Sequence, residues 1–407
     1  MVTPSVNDEA AVVRAPATAS APAKASRGHV PELDGIRGFA ILLVLGLHFI
    51  CTQIYVAHGP IEALLKKVTG YGRWGVDLFF VLSGFLITGI LWDTRGSRRY
   101  FKTFYMRRTL RIFPLYYATL LVLVVLIPSS FLQAHAPKAL ELREMQGWLW
   151  PYLTNVYVAK IGSFQVPYIA HFWTLAVEEH FYLVWPFAVG LLSRRSAMWL
   201  SVALSVLAVS LRIGVGVWGL DPMYAHVLTP CRLDSLCIGG LLALAARGPL
   251  GAAGIGPLAR RWVLPAAGGV LLTSAVHAVS PGHALTEPLR ELSLALCFGF
   301  AIVLAATDYG PALYRSWLRA GWLRWLGKYS YGLYVFHGII AYALVPHGAL
   351  PYFERIVGPG AAAFLLQAVV GTAASIGIAV LSYELFEAPF LRLKKWFEPS
   401  VTAQTTR

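Results

Sequence analysis

Apolar runs of membrane-spanning length follow one another along this chain, separated by short polar or basic segments. A helix needs about 20 predominantly apolar residues to cross a hydrocarbon core of about 30 Å. Ten runs meet or approach that length, near 36–56, 74–92, 113–131, 171–193, 197–217, 233–246, 262–280, 288–307, 326–346 and 361–386. The sixth is short. The stretch Trp148 to Val158 is also apolar, but it holds Pro151 and Asn155 and is too short to span, so it reads as an interfacial or re-entrant piece. The predicted fold class is all-α: a polytopic integral membrane protein of about ten transmembrane helices, occupying residues 32–395. Residues 1–31, Ala/Pro-rich and without an apolar period, predict a disordered tail; no apolar core precedes a small-residue cleavage site, so a signal peptide is not expected. Residues 396–407 predict a second polar tail.

Composition agrees with this pattern. Hydrophobic residues make up 57% of the 407 and charged residues only 13%, against roughly 25% in soluble domains. A soluble globule of this size needs a polar surface that such a chain cannot supply, so a soluble domain and a disordered chain are both excluded. The net charge of +14 would point to nucleic acid in a soluble protein. Here the basic residues sort by loop instead. Arg95, Arg98, Arg99, Lys102, Arg107, Arg108 and Arg111 crowd one connection, and most others fall on alternate segments. By the positive-inside rule that distribution predicts both termini in the cytoplasm, with an anionic lipid bilayer as partner and no nucleic acid. Cys51, Cys231, Cys237 and Cys297 form no CxxC pair and lie in or beside apolar runs, so they read as small buried hydrophobes, with no metal site expected.

Ionisable side chains inside spans are costly and face a cavity or a partner, which makes them the guide to function. In the first span, Arg37 and His48 are eleven positions apart; eleven helical steps turn about 1100° and rise about 16 Å, so both side chains share one face, Arg37 at the inner interface and His48 near mid-membrane. Asp34 is positioned to pair with Arg37 at i, i+3. The second span carries Asp77 and Ser83; GxSxG is absent, so Ser83 is expected to pack, and Asp77 to face a polar cavity. Before the third span, Arg107, Arg108 and Arg111 cluster, with Arg108 and Arg111 on one face. They either set topology or form a phosphate site, and guanidinium forks suit phosphate oxygens. The fourth span holds His171, Glu178, Glu179 and His180, too many polar groups for a packing account. Entering from the opposite side, Glu178 and Glu179 reach about the same depth as His48, so carboxylates and an imidazole are expected to meet. The ninth span brings His337 to a similar depth, the tenth ends with Glu384 and Glu387, and Arg232 is expected to pair with Asp234.

The stretches LDGIRGFAILLVLGLH (33–48), GVDLFFVLSGFLIT (75–88), FYMRRTLRIFPLYY (104–117), FWTLAVEEHFYLVWPF (172–187), YSYGLYVFHG (329–338) and the Glu387-Ala388-Pro389 ending resemble, in order, the motifs of the membrane acyltransferase-3 family. The likeness covers about residues 32–395. It implies a bacterial inner-membrane, multi-pass O-acyltransferase with no bound cofactor. Acyl-CoA, with acetyl as the expected group, would be the co-substrate, and a hydroxyl of a cell-surface or lipid-linked carbohydrate the acceptor. A small secreted metabolite such as a macrolide is the alternative acceptor. The resemblance also implies functional roles for the Arg37/His48 and Arg108/Arg111 pairs. His180 departs from the family, which commonly has glutamine there. Some members add an extracytoplasmic hydrolase-like domain; with none expected here, transfer would be completed by the membrane domain or by a separate partner.

The expected machinery is therefore His48, Glu178 and Glu179 for chemistry. Arg37, Arg107, Arg108 and Arg111 are expected to hold the donor, and Asp77, Ser83, His171, His337 and Glu387 to line a cavity or meet the acceptor. His48 would act as general base or accept the acyl group transiently, oriented by Glu178 or Glu179. Buried His, Glu, Asp and Arg also build proton-coupled transporters, but no clear inverted repeat or broken-helix pair is present. Oligomeric state is not readable from the sequence.

Overall fold

The structure, a computed structural model, describes residues 29–54, 57, 59–280, 282–344 and 349–398. Nearly all of the tail expected over residues 1–31 and most of that over 396–407 lie outside the described residues. Among those described there is no strand, and ten helices have 16 or more residues. They are α1 (Pro31–Gly46), α2 (Trp74–Asp93), α3 (Tyr100–Leu120), α4 (Trp173–Leu191), α5 (Arg194–Val217), α6 (Thr229–Ala245), α7 (Gly251–Val279), α8 (Thr286–Ala306), α9 (Gly321–Leu344) and α10 (Ala361–Ser382). Nine lie largely on one of the ten apolar runs; α3 starts well before its run, 113–131, and overlaps it only over 113–120.

Not all ten are apolar enough to cross a bilayer by themselves. Among the described residues eight helical stretches are long and apolar enough, or nine if α9 is joined to the short helix Ala349–Val357. The helix over the run 171–193 is the exception: α4 has the length, but Glu178, Glu179 and His180 dilute its apolar content. It survives among the others because much of its length is packed inside the protein. The fold is thus that of a multi-pass membrane protein. α7 has the opposite character, with Leu264, Leu271 and Leu272 among its exposed side chains; it meets α8 along its length and otherwise turns outward. The Trp148–Val158 segment is two short helices, Gln146–Leu149 and Thr154–Ile161, broken around Pro151 and Tyr152.

Two pairings define the centre: α1 on α9 and α2 on α6. Both depend on glycines that let backbones touch. A Cβ at Gly38 would stand 2.0 Å from the Leu323 carbonyl oxygen, and one at Gly84 would stand 1.9 Å from that of Leu236. Close approach of this kind gains dispersion contacts where lipid offers no hydrophobic driving force between helices.

A buried ionic network then ties α2, α5, α6 and α8 together. Arg212 donates two bonds to Asp234, at 2.9 and 2.6 Å, and its Nε lies 3.3 Å from Glu291. Arg232 bonds Asp77 and, at 2.8 Å, Glu291. The expected Arg232–Asp234 pair does not form. Residues two apart on a helix point away from each other, so each takes a partner from a different helix. The local Asp34–Arg37 pair does form, at 2.6 Å.

Candidate functional site

Two cavities lie back to back in the core. The first, about 550 Å³, is basic: Arg37 comes from α1, Arg107, Arg108 and Arg111 from α3, Lys328 from α9, and Lys394 from the short turn after α10. Asp34 and Glu178 add carboxyl groups to the lining; Asp34 pairs with Arg37 at 2.6 Å, and Lys328 pairs with Glu384 at 3.2 Å. Spacing puts the three α3 arginines on one face, since residues three and four apart are neighbours on a helix. Aromatic faces seat two of them: the Arg108 guanidinium lies 5.5 Å from the centre of the Tyr182 ring, and that of Arg111 5.9 Å from Tyr331. Among the described residues neither has a carboxylate within ion-pair distance. Arg107 donates to the Lys394 carbonyl at 3.3 Å. Cations held by rings and carbonyls, and not neutralised by carboxylates, keep their charge for an anionic ligand; guanidinium forks match phosphate oxygens in particular.

The second cavity, about 400 Å³, holds His48, His171, His226, Asp77, Arg232, Arg290 and Glu291 in its lining, with Trp74, Trp173, Tyr168 and Tyr342 as aromatic surface. His48 sits in a π-helical turn, Leu47–Cys51, that closes α1; such single-turn π segments recur at functional sites. Its backbone carbonyl accepts bonds from the Thr52 hydroxyl and the Gln53 amide, both 2.9 Å. Its Nδ1 lies 3.0 Å from the Val44 carbonyl. A carbonyl can only accept, so Nδ1 carries the proton and Nε2 of the neutral ring keeps its lone pair. That is the tautomer a general base requires.

The neighbours of His48 are imidazoles. The His337 ring is 4.8 Å from His48 centre to centre, and His171 is 4.8 Å from His337. His337 is fully buried; its Nδ1 donates to the Leu333 carbonyl at 3.0 Å, and its Nε2 has no partner.

Glu178 and Glu179 do not join this group. Residue counting along an axis carries no direction around it, and these carboxylates point elsewhere. Glu178 faces the basic cavity, beside Ser83 and Tyr182, which bond each other. Glu179 lines neither cavity; its neighbours are Arg108 and the tyrosines 116, 117, 152 and 331, and its Oε1 is unpaired. Asp77 and His171 line the histidine cavity and Ser83 lines the basic one, while His337, expected to line a cavity, is buried behind His48 and His171 and lines neither. Glu387 is buried near Arg111, accepting from the Ser382 hydroxyl at 3.3 Å, and lines neither cavity. His180 bonds Thr229 at 2.7 Å and also faces away from both cavities.

Sequence reasoning missed Tyr334, Thr174, Tyr182 and the polar wall of Arg290 and Glu291. One signal was available: Tyr334 is three residues before His337, and Thr174 four before Glu178, hence on the same helix faces.

The family model described as an acyltransferase domain matches residues 30–384. Among curated proteins, the peptidoglycan O-acetyltransferase OatA of Listeria monocytogenes is 29% identical over 380 residues, covering 89% of this chain and 56% of the relative. The acyltransferase MdmB of Streptomyces mycarofaciens is 26% identical over 408 residues, covering 92% of this chain and 95% of its own length. The O-acetyltransferase OatA of Staphylococcus aureus is 27% identical over 233 residues, covering 53% of this chain and 34% of the relative. The chain thus spans little over half the length of the first of these. No solved structure matches.

Proposed function

The chain belongs to the acyltransferase-3 family, and from that premise we propose that it is a membrane O-acyltransferase whose basic cavity takes the phosphates of acyl-CoA, with acetyl as the acyl group, and whose histidine cavity takes the acceptor. One observation carries this reading: unneutralised guanidinium groups of Arg108 and Arg111 line a cavity that backs onto a second one containing a histidine with its basic nitrogen free. The orientation follows from charge. The arginine-rich connection before α3 belongs on the cytoplasmic side, where acyl-CoA is made, and the histidine cavity then faces outward across a bacterial inner membrane.

The chemistry is a single displacement. Arg37, Arg107, Arg108 and Arg111 anchor the donor so that its thioester carbonyl stands at the junction of the cavities. A hydroxyl of the acceptor lies against His48, whose Nε2 takes the hydroxyl proton as the oxygen attacks the carbonyl carbon. The C–S bond breaks, the ester forms, and the proton returns to the departing thiolate sulfur. Burial of the junction limits water attack on the thioester. Glu178, on the donor side, acts with Ser83 and Tyr182 to fix Arg108 near the phosphates; it does not orient His48.

The aromatic and charged lining of the histidine cavity suits a sugar hydroxyl on a surface or lipid-linked carbohydrate, in line with the peptidoglycan O-acetyltransferases among its relatives. Native membrane vesicles given [14C]acetyl-CoA test the proposal. The expected result is covalent, base-labile label on a glycan, absent in His48→Ala vesicles of equal protein content. Label on a secreted small molecule would move the acceptor class. Absence of any covalent label, with solute uptake driven by a proton gradient, would overturn the enzyme reading.

A further inference from the structure

The two cavities share three lining residues, one from each of three helices: Val76 of α2, Thr174 of α4 and Tyr334 of α9. Any acyl group that passes from a donor in one to an acceptor in the other must pass between them. We propose that Val76, Thr174 and Tyr334 form a selectivity constriction that admits a short acyl group and sets the chain length transferred. This rests on the basic cavity being the donor site.

The constriction is built to hold its width. The Tyr334 hydroxyl donates to the His171 carbonyl at 2.7 Å and is hydrogen-bonded to the Thr174 hydroxyl. The Tyr334 ring centre is 5.4 Å from those of both His171 and His337, so the ring is held on two sides. The backbones beside it are seated in contact. A Cβ at Gly75 would lie 2.5 Å from the Ala40 carbonyl oxygen, and one at Gly338 would lie 2.2 Å from the His171 ring. The helices carrying Val76 and Tyr334 are therefore already at closest approach to α1 and to His171. With the frame fixed in this way, the opening is set by side-chain size, chiefly the two methyls of Val76 and the one of Thr174.

The thioester carbonyl must come within reach of a hydroxyl held by His48, which lines only the histidine cavity. The acyl tail enters the constriction with it. In a closely fitting apolar site one methylene changes kcat/KM by roughly 10- to 200-fold, so an acetyl group passes where a butyryl group is resisted.

The test uses native membrane vesicles with the full chain, given [14C]acetyl-, propionyl- or butyryl-CoA at limiting concentration. The readout is the butyryl-to-acetyl ratio of covalent transfer, which is independent of protein abundance. Val76→Ala is expected to raise that ratio about tenfold or more. Thr174→Ser, which loses a methyl but keeps the hydroxyl bonded to Tyr334, should raise it less. Val76→Phe should depress acetyl transfer itself, and it keeps the test decisive if either smaller variant fails to reach the membrane. Unchanged ratios in Val76→Ala and Thr174→Ser, or undiminished acetyl transfer by Val76→Phe, would overturn the constriction. Wild-type vesicles that use none of the three thioesters would overturn the donor reading beneath it, a distinct result.

Discussion

The basic cavity and the histidine cavity are built from the same central helices, yet they treat their deepest arginines differently. In the basic cavity Arg108 and Arg111 are seated on tyrosine rings and left without carboxylate partners. In the histidine cavity most charges pair: Arg232 with Asp77 and Glu291, and Arg290 with Glu287 at 2.6 Å, with Arg73 at the lining outside these pairs. The contrast teaches what each wall is for. Free cations cost desolvation and are kept only where a ligand will neutralise them. On the proposed reading, the paired charges of the histidine cavity would fix the shape around the acceptor and the histidine beside it.

The widest break between the two should come from His48→Ala. It is expected to lower transfer by about 10²–10⁴-fold at normal membrane abundance, measured as label transferred per unit protein in vesicles. Next, Asp234→Ala strips the partner from fully buried Arg212 and should cost about 3–5 kcal/mol of stability. Thermal unfolding in detergent, or loss of protein from the membrane, checks it. Arg108→Glu with Arg111→Glu should raise the donor KM about 10–100-fold, as expected for losing charge-assisted bonds of about 1.5–3 kcal/mol, while leaving KM for the acceptor unmoved. The smallest effect separates the two carboxylates. Glu178→Gln should weaken donor use by about 1–2 kcal/mol, whereas Glu179→Gln should leave donor KM near wild type, because Glu179 lines neither cavity.

Much of this was legible before any coordinates. Nine of the ten long helices lie largely on apolar runs, because burial in lipid writes itself into local composition; α3 begins in the arginine-rich connection before its run. The Asp34–Arg37 pair and the shared face of Arg108 and Arg111 were legible because both are local, three residues apart on one helix. The basic cavity followed from those arginines. What was not legible depends on rotation between helices. Residue counting places Glu178 and Glu179 at the expected depth of His48, but it says nothing of azimuth, and Glu178 points to the far side of the Val76–Thr174–Tyr334 junction. Arg212 lies in an apolar run with no carboxylate nearby in sequence, so its bond to Asp234, 22 positions away, could not be anticipated. The expected Arg232–Asp234 pair failed for a local reason: residues two apart on a helix point away from each other.

The central claim is that binding the donor and moving its acyl group belong to different cavities. Equilibrium binding of acetyl-CoA to purified His48→Ala protein tests it most directly. Donor affinity equal to wild type is expected in a protein that transfers nothing. Loss of donor binding together with transfer would contradict it.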